Sequence, residues 1–241
     1  MDDATFDAWA RRRQAGDESA TLINLYDAVA RSRGLEAHEL TAKERAALSA
    51  RALHVMDPTF EFTSESERGI EPIEVVRYDP RWPAQFEAWK ARILSVLQPR
   101  RIDHVGSTSV PGIAAKPIVD VQVSVDDIRD EDAYVSAIES IGVQLRSRDA
   151  QHRYFRPFAG RPRDVHVHVC DAGSEWERRH LLFVAFLRTD ATAREGYVRA
   201  KLEAADRWAD DRVAYTEAKD EVIGQIMARA EDWARLAGWT P

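Results

Sequence analysis

The sequence holds a single cysteine, Cys170, among 241 residues. One thiol excludes an internal disulfide and fits a reducing compartment. Its place at the end of a strand-like run marks it as a small buried hydrophobe. No apolar run approaches membrane-spanning length, so no membrane role is expected. Basic residues are not in excess: 34 Lys and Arg stand against 41 Asp and Glu, a net charge of −7. That balance argues against a broad nucleic-acid or membrane surface, although basic pairs such as Arg100-Arg101 and Arg178-Arg179 remain. The opening stretch MDDATFDAW is acidic, unlike a secretory leader, so a soluble cytoplasmic protein is expected. The Walker A pattern G-x-x-x-x-G-K-[ST] is missing too. What remains is ordinary: 44% hydrophobic and 31% charged residues. That is enough apolar material for one large domain or two small ones.

The most informative segment is HVGSTSVPGIAAKPIVDVQV, His104 to Val123. Gly106 lets the backbone approach a ligand closely, because it has no Cβ. Ser107, Thr108 and Ser109 set hydroxyls and backbone N–H groups beside it, as a phosphate cradle requires. Lys116 adds a point charge. Asp120 then enters an alternating, β-branched run, with Asp120, Gln122 and Ser124 on one face. A Gly-Ser turn followed by a strand carboxylate suits a nucleotide-phosphate and Mg²⁺ site. It also suits a plain turn and an edge charge.

Residues 1 to about 60 read as three amphipathic helices. Phe6, Trp9 and Ala10 mark the first, and Leu22, Leu25, Tyr26, Val29 and Ala30 the second. Thr41-x-x-Glu44 is a capping box for the third. These helices form a small domain able to dock a protein partner. Asp57-Pro58 breaks the pattern, and residues 61–70 read as a polar linker. Residues 71–241 then alternate strands and helices, starting with a strand at Ile73 to Arg77. Helices are expected at Trp82 to Leu97, Asp132 to Ile141, and near 175–188, 192–207 and 211–236.

Two further constellations stand out. In Asp164-Val165-His166-Val167-His168-Val169 a period of two puts Asp164, His166 and His168 on one face. Such a strand is either an edge with solvated histidines or the wall of a site. Neutral imidazole there could ligate a metal or act as a general base. Asp120 with two histidines also matches a Zn²⁺ or Mn²⁺ triad, ranked below Mg²⁺ with nucleotide. Tyr197-x-x-x-Lys201 and Tyr215-x-x-x-Lys219 each place a pair on one helical face. The plain alternative is packed tyrosines with lysines reaching water.

The run from Ile73 to about Ala230 resembles the GrpB family, a branch of the nucleotidyltransferase-fold superfamily. The resemblance rests on VVRYDPRWPAQFE, the HVGSTSVPG…AKPIVD block, HVHVC, EWERRHLLFVAFLR, GYVRAK and AYTEAK, in that order. It implies an α/β (α+β) fold: a nucleotidyltransferase-like mixed sheet flanked by helices, here with an N-terminal helical extension. It implies a nucleoside triphosphate and Mg²⁺ as ligands, with nucleotidyl transfer to a small-molecule or protein acceptor. Asp120, His166 and His168 would be catalytic, with Asp120 and His168 holding metal. Gly106, Ser107, Thr108, Ser109, Lys116, Lys201 and Lys219 would bind the nucleotide. Two departures stand against it. Gln122 occupies the position of a second acid, and FVAFLR replaces the FRDYLR common in relatives. A non-catalytic nucleotide or metabolite sensor, or an interaction module, is the competing reading.

Overall fold

The computed structural model describes residues 3–64 and 72–241. Helices α1 (Asp3–Gln14), α2 (Leu22–Arg31) and α3 (Ala42–Met56) form the N-terminal extension. The capping box at Thr41 and Glu44 starts α3: each side chain accepts the other's backbone N–H. Strand β1 (Glu61–Phe62) follows, then α4 (Trp82–Leu94), β2 (Arg101–Val105), β3 (Val119–Val125), α5 (Val135–Ser140), β4 (Val143–Arg148), β5 (His152–Pro157) and β6 (Val165–Asp171). The chain ends with α6 (Glu175–Thr189), α7 (Ala191–Arg207), α8 (Arg212–Glu217) and α9 (Asp220–Ala237). Ser174 and Asp190 cap α6 and α7 by accepting the N–H of Glu177 and Ala193.

The strands form one mixed sheet in the order β1-β4-β5-β6-β3-β2. β3 and β6 pair in parallel; the remaining pairs are antiparallel. Valines at 119, 121, 123, 165, 167 and 169 point to one face, where Trp82, Phe86, Trp89 and Ile93 of α4 cover them. The opposite face carries the polar alternates Asp120, Gln122, His166 and His168. There Val105 and the loop residues Val110 and Ile113 join a second core with α6, α7 and α9. Burial on both faces explains why β3 is β-branched at every second position yet polar only where the site lies.

The N-terminal helices bury their apolar stripes inside the molecule. Leu22, Leu25, Tyr26, Val29 and Leu48 share a core with Ile73, Ala204, Trp208, Ala214 and Tyr215. A polar network reinforces the seam. The Tyr26 hydroxyl donates to Asp211 Oδ2 at 2.9 Å, and Arg45 pairs with Asp210 at 2.6 Å. The Glu217 carboxylate accepts the N–H groups of both Leu22 and Ile23 at 2.6 Å, capping α2 from the far end of the chain.

Three local expectations are corrected. Ile73 to Arg77 is not a strand: only Val76 pairs, in an isolated bridge to Ala115. Pro117, two residues beyond Ala115, has no N–H to extend that ladder. The helix expected over 211–236 is two, because Lys219 N–H closes on Thr216 and the chain restarts at Asp220. Of the stretch expected as linker, Glu61 and Phe62 pair with Arg148 and Ser147 at the sheet edge. Residues 65–71 lie outside the described ones. Among the described residues no helix is long and apolar enough to cross a membrane.

Candidate phosphate and metal site

Parallel register sets Asp120 beside His166 and Gln122 beside His168. Side chains paired this way share a face, so one carboxylate, two imidazoles and one amide form a square on the face opposite α4. The His166 Nδ1 lies 3.1 Å from Asp120 Oδ1, and His168 Nε2 lies 3.5 Å from the same oxygen. Ligand atoms of all three residues fall within 4.8 Å of one another. Arg163 Nε donates to His166 Nε2 at 3.4 Å, so the hydrogen of a neutral His166 sits on Nδ1 and points at Asp120. Burial first, opposed by Asp120, takes His166 down to about 3 and keeps it neutral. Burial works to raise the Asp120 carboxyl, but its contacts with His166 and His168 win and hold it far below the ordinary carboxylate range.

Gly106 makes this arrangement fit. Its φ of 67° and ψ of −171° belong to a region that only glycine adopts freely. A Cβ added there would lie 2.2 Å from Asp120 Oδ2. Gly106→Ala should therefore cost about 3 kcal/mol of stability, from backbone strain and collision together. It should also displace the carboxylate. Chemical denaturation checks the first effect, and an unchanged midpoint would contradict this account of the turn.

A cavity of about 130 Å³ opens in front of Asp120. Gly106, Ser107, Thr108, Lys116, Asp120, His166, Lys201 and Lys219 line it, together with Tyr197 and Tyr215. Both Tyr-x-x-x-Lys pairs thus face one space. Lys201 donates to the Ala114 carbonyl and lies 4.8 Å from the Tyr197 ring centre. The ammonium groups of Lys116 and Lys219 lie 5.0 and 4.3 Å from the Tyr215 ring centre. No ion pair holds any of these lysines among the described residues. Burial, then the charge of Lys219, pulls Lys116 down to about 8 and Lys201 to about 7. Burial likewise brings Lys219 to about 8. Three crowded cations facing one carboxylate are a site for an anion.

Two expected residues stand apart from the cavity. Ser109 turns its hydroxyl back to the Gly106 carbonyl at 2.7 Å and lines a neighbouring cleft of about 810 Å³ with His104 and Arg188. His168 does not line the cavity, but its Nε2 lies 3.5 Å from Asp120 Oδ1. Thr108 lines the cavity, yet its hydroxyl is tied to His104 Nε2 at 2.9 Å. Gln122 is fully buried, and neither amide atom has a hydrogen-bond partner among the described residues. An orphaned amide oxygen next to Asp120 and His168 adds a neutral donor to a set that fits a divalent cation.

Sequence reasoning missed His152 and Tyr154, which line up against Cys170 and His168 on the neighbouring strand. Their two-residue spacing repeats that of His166 and His168, a signal present in the sequence. It carried no weight because strand pairing is not local.

Comparison with known proteins gives the family. A family model described as GrpB protein matches residues 72–229. A UPF0157 protein of Streptomyces coelicolor is 40% identical over 171 residues, covering 70% of this chain and 90% of that one. A protein named dephospho-CoA kinase from Mycolicibacterium paratuberculosis is 32% identical, over 70% of this chain but 49% of its own length. The crystal structure of conserved protein GrpB from Enterococcus faecalis superposes with a TM-score of 0.59 at 31% identity, covering 66% of this chain and 99% of that one. The chain belongs to the GrpB family.

Proposed function

We propose that the cavity binds the phosphates of a nucleoside triphosphate with a divalent metal ion, and that the protein transfers a nucleotidyl group to a small-molecule or protein acceptor. One observation carries this: three lysines without ion-pair partners among the described residues surround a small space whose wall is Asp120 between two histidines. A space of about 130 Å³ suits a phosphoryl-sized anion and not a nucleoside. Base and sugar would therefore lie outside it. A bound divalent ion, Mg²⁺ first and Mn²⁺ or Zn²⁺ as alternatives, would neutralise phosphate charge and align the reacting groups.

Asp120 and His168 are the residues to hold that ion, with His166 orienting the carboxylate by its Nδ1–H. Ser107 and the backbone after Gly106 would meet phosphate oxygens. The lysines balance charge, while the Tyr197 and Tyr215 rings keep water out. Relatives named for a kinase activity fit a phosphate-handling site. Gln122 favours a second reading, a nucleotide sensor without catalysis, because one carboxylate is a thin donor set for hard cations.

Asp120→Asn tests the site while keeping its shape. The expected result is loss of metal-dependent binding of a non-hydrolysable nucleoside triphosphate by at least about 100-fold in calorimetry, with an unchanged circular-dichroism spectrum. Equal affinity in both proteins would refute the metal–phosphate reading. Product formation in the parent protein separates transferase from sensor.

A further inference from the structure

A chain of side chains runs away from Asp120 on the sheet. His168 Nδ1 lies 3.0 Å from His152 Nε2, and His152 Nδ1 lies 3.2 Å from Asp149 Oδ2. Asp149 is itself fixed by the Gln151 N–H at 2.8 Å. The His152 ring stacks on Trp176 at 4.8 Å with an 11° tilt, and His180 stacks on the other partner of that pair, Trp176, at 3.7 Å.

The hydrogens follow from donor and acceptor rules. A carboxylate only accepts, so His152 Nδ1 carries a hydrogen toward Asp149. A neutral imidazole has one such hydrogen. His152 Nε2 therefore accepts, and His168 donates from Nδ1. The remaining nitrogen, His168 Nε2, faces Asp120 Oδ1 across 3.5 Å. In a neutral His168 that nitrogen keeps its lone pair, and a divalent cation can bridge it to the carboxylate.

We propose that Asp149 and His152 are positioning residues that hold His168 in its Nδ1–H tautomer and aim its Nε2 lone pair at a nitrogen-preferring divalent cation shared with Asp120. The inference rests on the proposed metal–phosphate site and reorders its candidate ions, setting nitrogen-preferring ions ahead of Mg²⁺. A nitrogen ligand and one carboxylate favour Co²⁺, Mn²⁺ or Zn²⁺ over Mg²⁺. Partners that orient a ligating histidine commonly change metal affinity 10- to 100-fold.

The test uses the full chain with Co²⁺ and Mg²⁺ as probes, read by calorimetry and by the visible absorption of Co²⁺. Imidazole ¹⁵N shifts report the tautomer of His168. The parent protein should bind Co²⁺ more tightly than Mg²⁺ and show His168 protonated at Nδ1. His152→Ala should weaken Co²⁺ binding about 10- to 100-fold and Mg²⁺ binding by less, with the tautomer released. His152→Gln, whose amide oxygen can accept from Nδ1–H, should recover most of the loss. Should the alanine variant fail to fold, the glutamine variant and the parent's tautomer carry the test. Unchanged Co²⁺ affinity in His152→Ala, with affinity lost in Asp120→Asn, would overturn the relay and leave the metal site standing. Co²⁺ affinity equal in the parent and Asp120→Asn would overturn the metal site, and the relay with it. Equal losses of Co²⁺ and Mg²⁺ without recovery in His152→Gln would reduce His152 to a packing residue and overturn the proposal.

Discussion

Lys201→Met should give a protein that is more stable than the parent and a poorer binder of phosphate. Lys201 is 2% exposed and shares its cavity with two other lysines. Burial and the Lys219 and Lys116 charges take it from 10.5 down to about 7. Between about pH 7 and 10.5 the unfolded chain therefore binds more protons than the folded one at this site. Unfolding free energy then rises with pH across that window, and the cost of burying the charge is fully present below it. Methionine removes the cost and much of the slope. It leaves the Ala114 carbonyl without its donor, which costs about 1 kcal/mol. The net expected gain near pH 7 is about 1–2 kcal/mol in chemical denaturation. Phosphate or pyrophosphate affinity should fall at least about tenfold, the worth of one charge-assisted hydrogen bond. In the parent, the same affinity should weaken as pH rises through about 7 to 8, where Lys201, Lys116 and Lys219 lose their protons. A variant that loses stability and keeps its phosphate affinity would contradict an anion-binding role for this cavity.

Removing the N-terminal helices should have the largest effect on stability. The periodicity of residues 1–60 suggests a separable domain, while the packing favours a shared core. A chain of residues 72–241 would expose Trp208, Ala214 and Tyr215, each buried against α2 and its neighbours. Losing that cover costs about 4–6 kcal/mol by area, or roughly 10–20 °C in melting temperature for a domain this size. The loss should reach the cavity as well. α8 carries Tyr215 and its end is Glu217, whose carboxylate caps α2; Lys219 lies two residues further on. Phosphate binding should fall along with the melting temperature. Cooperative melting at the parent's temperature, with phosphate binding intact, would establish the helices as a separable appendage.

What the sequence made legible was periodic and local. Alternation in Val119–Val125 and in the HVHVC run placed Asp120, His166 and His168 on polar faces, and the capping box placed the start of α3. The i, i+4 spacing paired each tyrosine with its lysine. That both pairs meet in one cavity depends on how α7 and α8 pack, which no spacing encodes. The Asp149–His152–His168 chain depends on β5 and β6 lying antiparallel in one register. Pairing of that kind is set by the whole sheet, so His152 looked like any strand residue. The Ile73 to Arg77 run had the composition of a strand but no neighbouring ladder to join. Ser109 sat in the right tripeptide, yet a one-turn 3-10 bend sent its hydroxyl back to Gly106.

The Glu217 cap ties ligand occupancy to the order of the extension. Leu22 and Ile23 are held by a carboxylate two residues before Lys219. An anion that holds Lys219 would restrain the chain two residues from that cap and so couple to the start of α2. Thermodynamic reciprocity then makes the coupling equal in both directions. Ligand binding should slow backbone opening at the start of α2, and whatever clamps α2 should tighten the cavity by the same factor. The first helices would then serve as an antenna for the site, read through a single carboxylate.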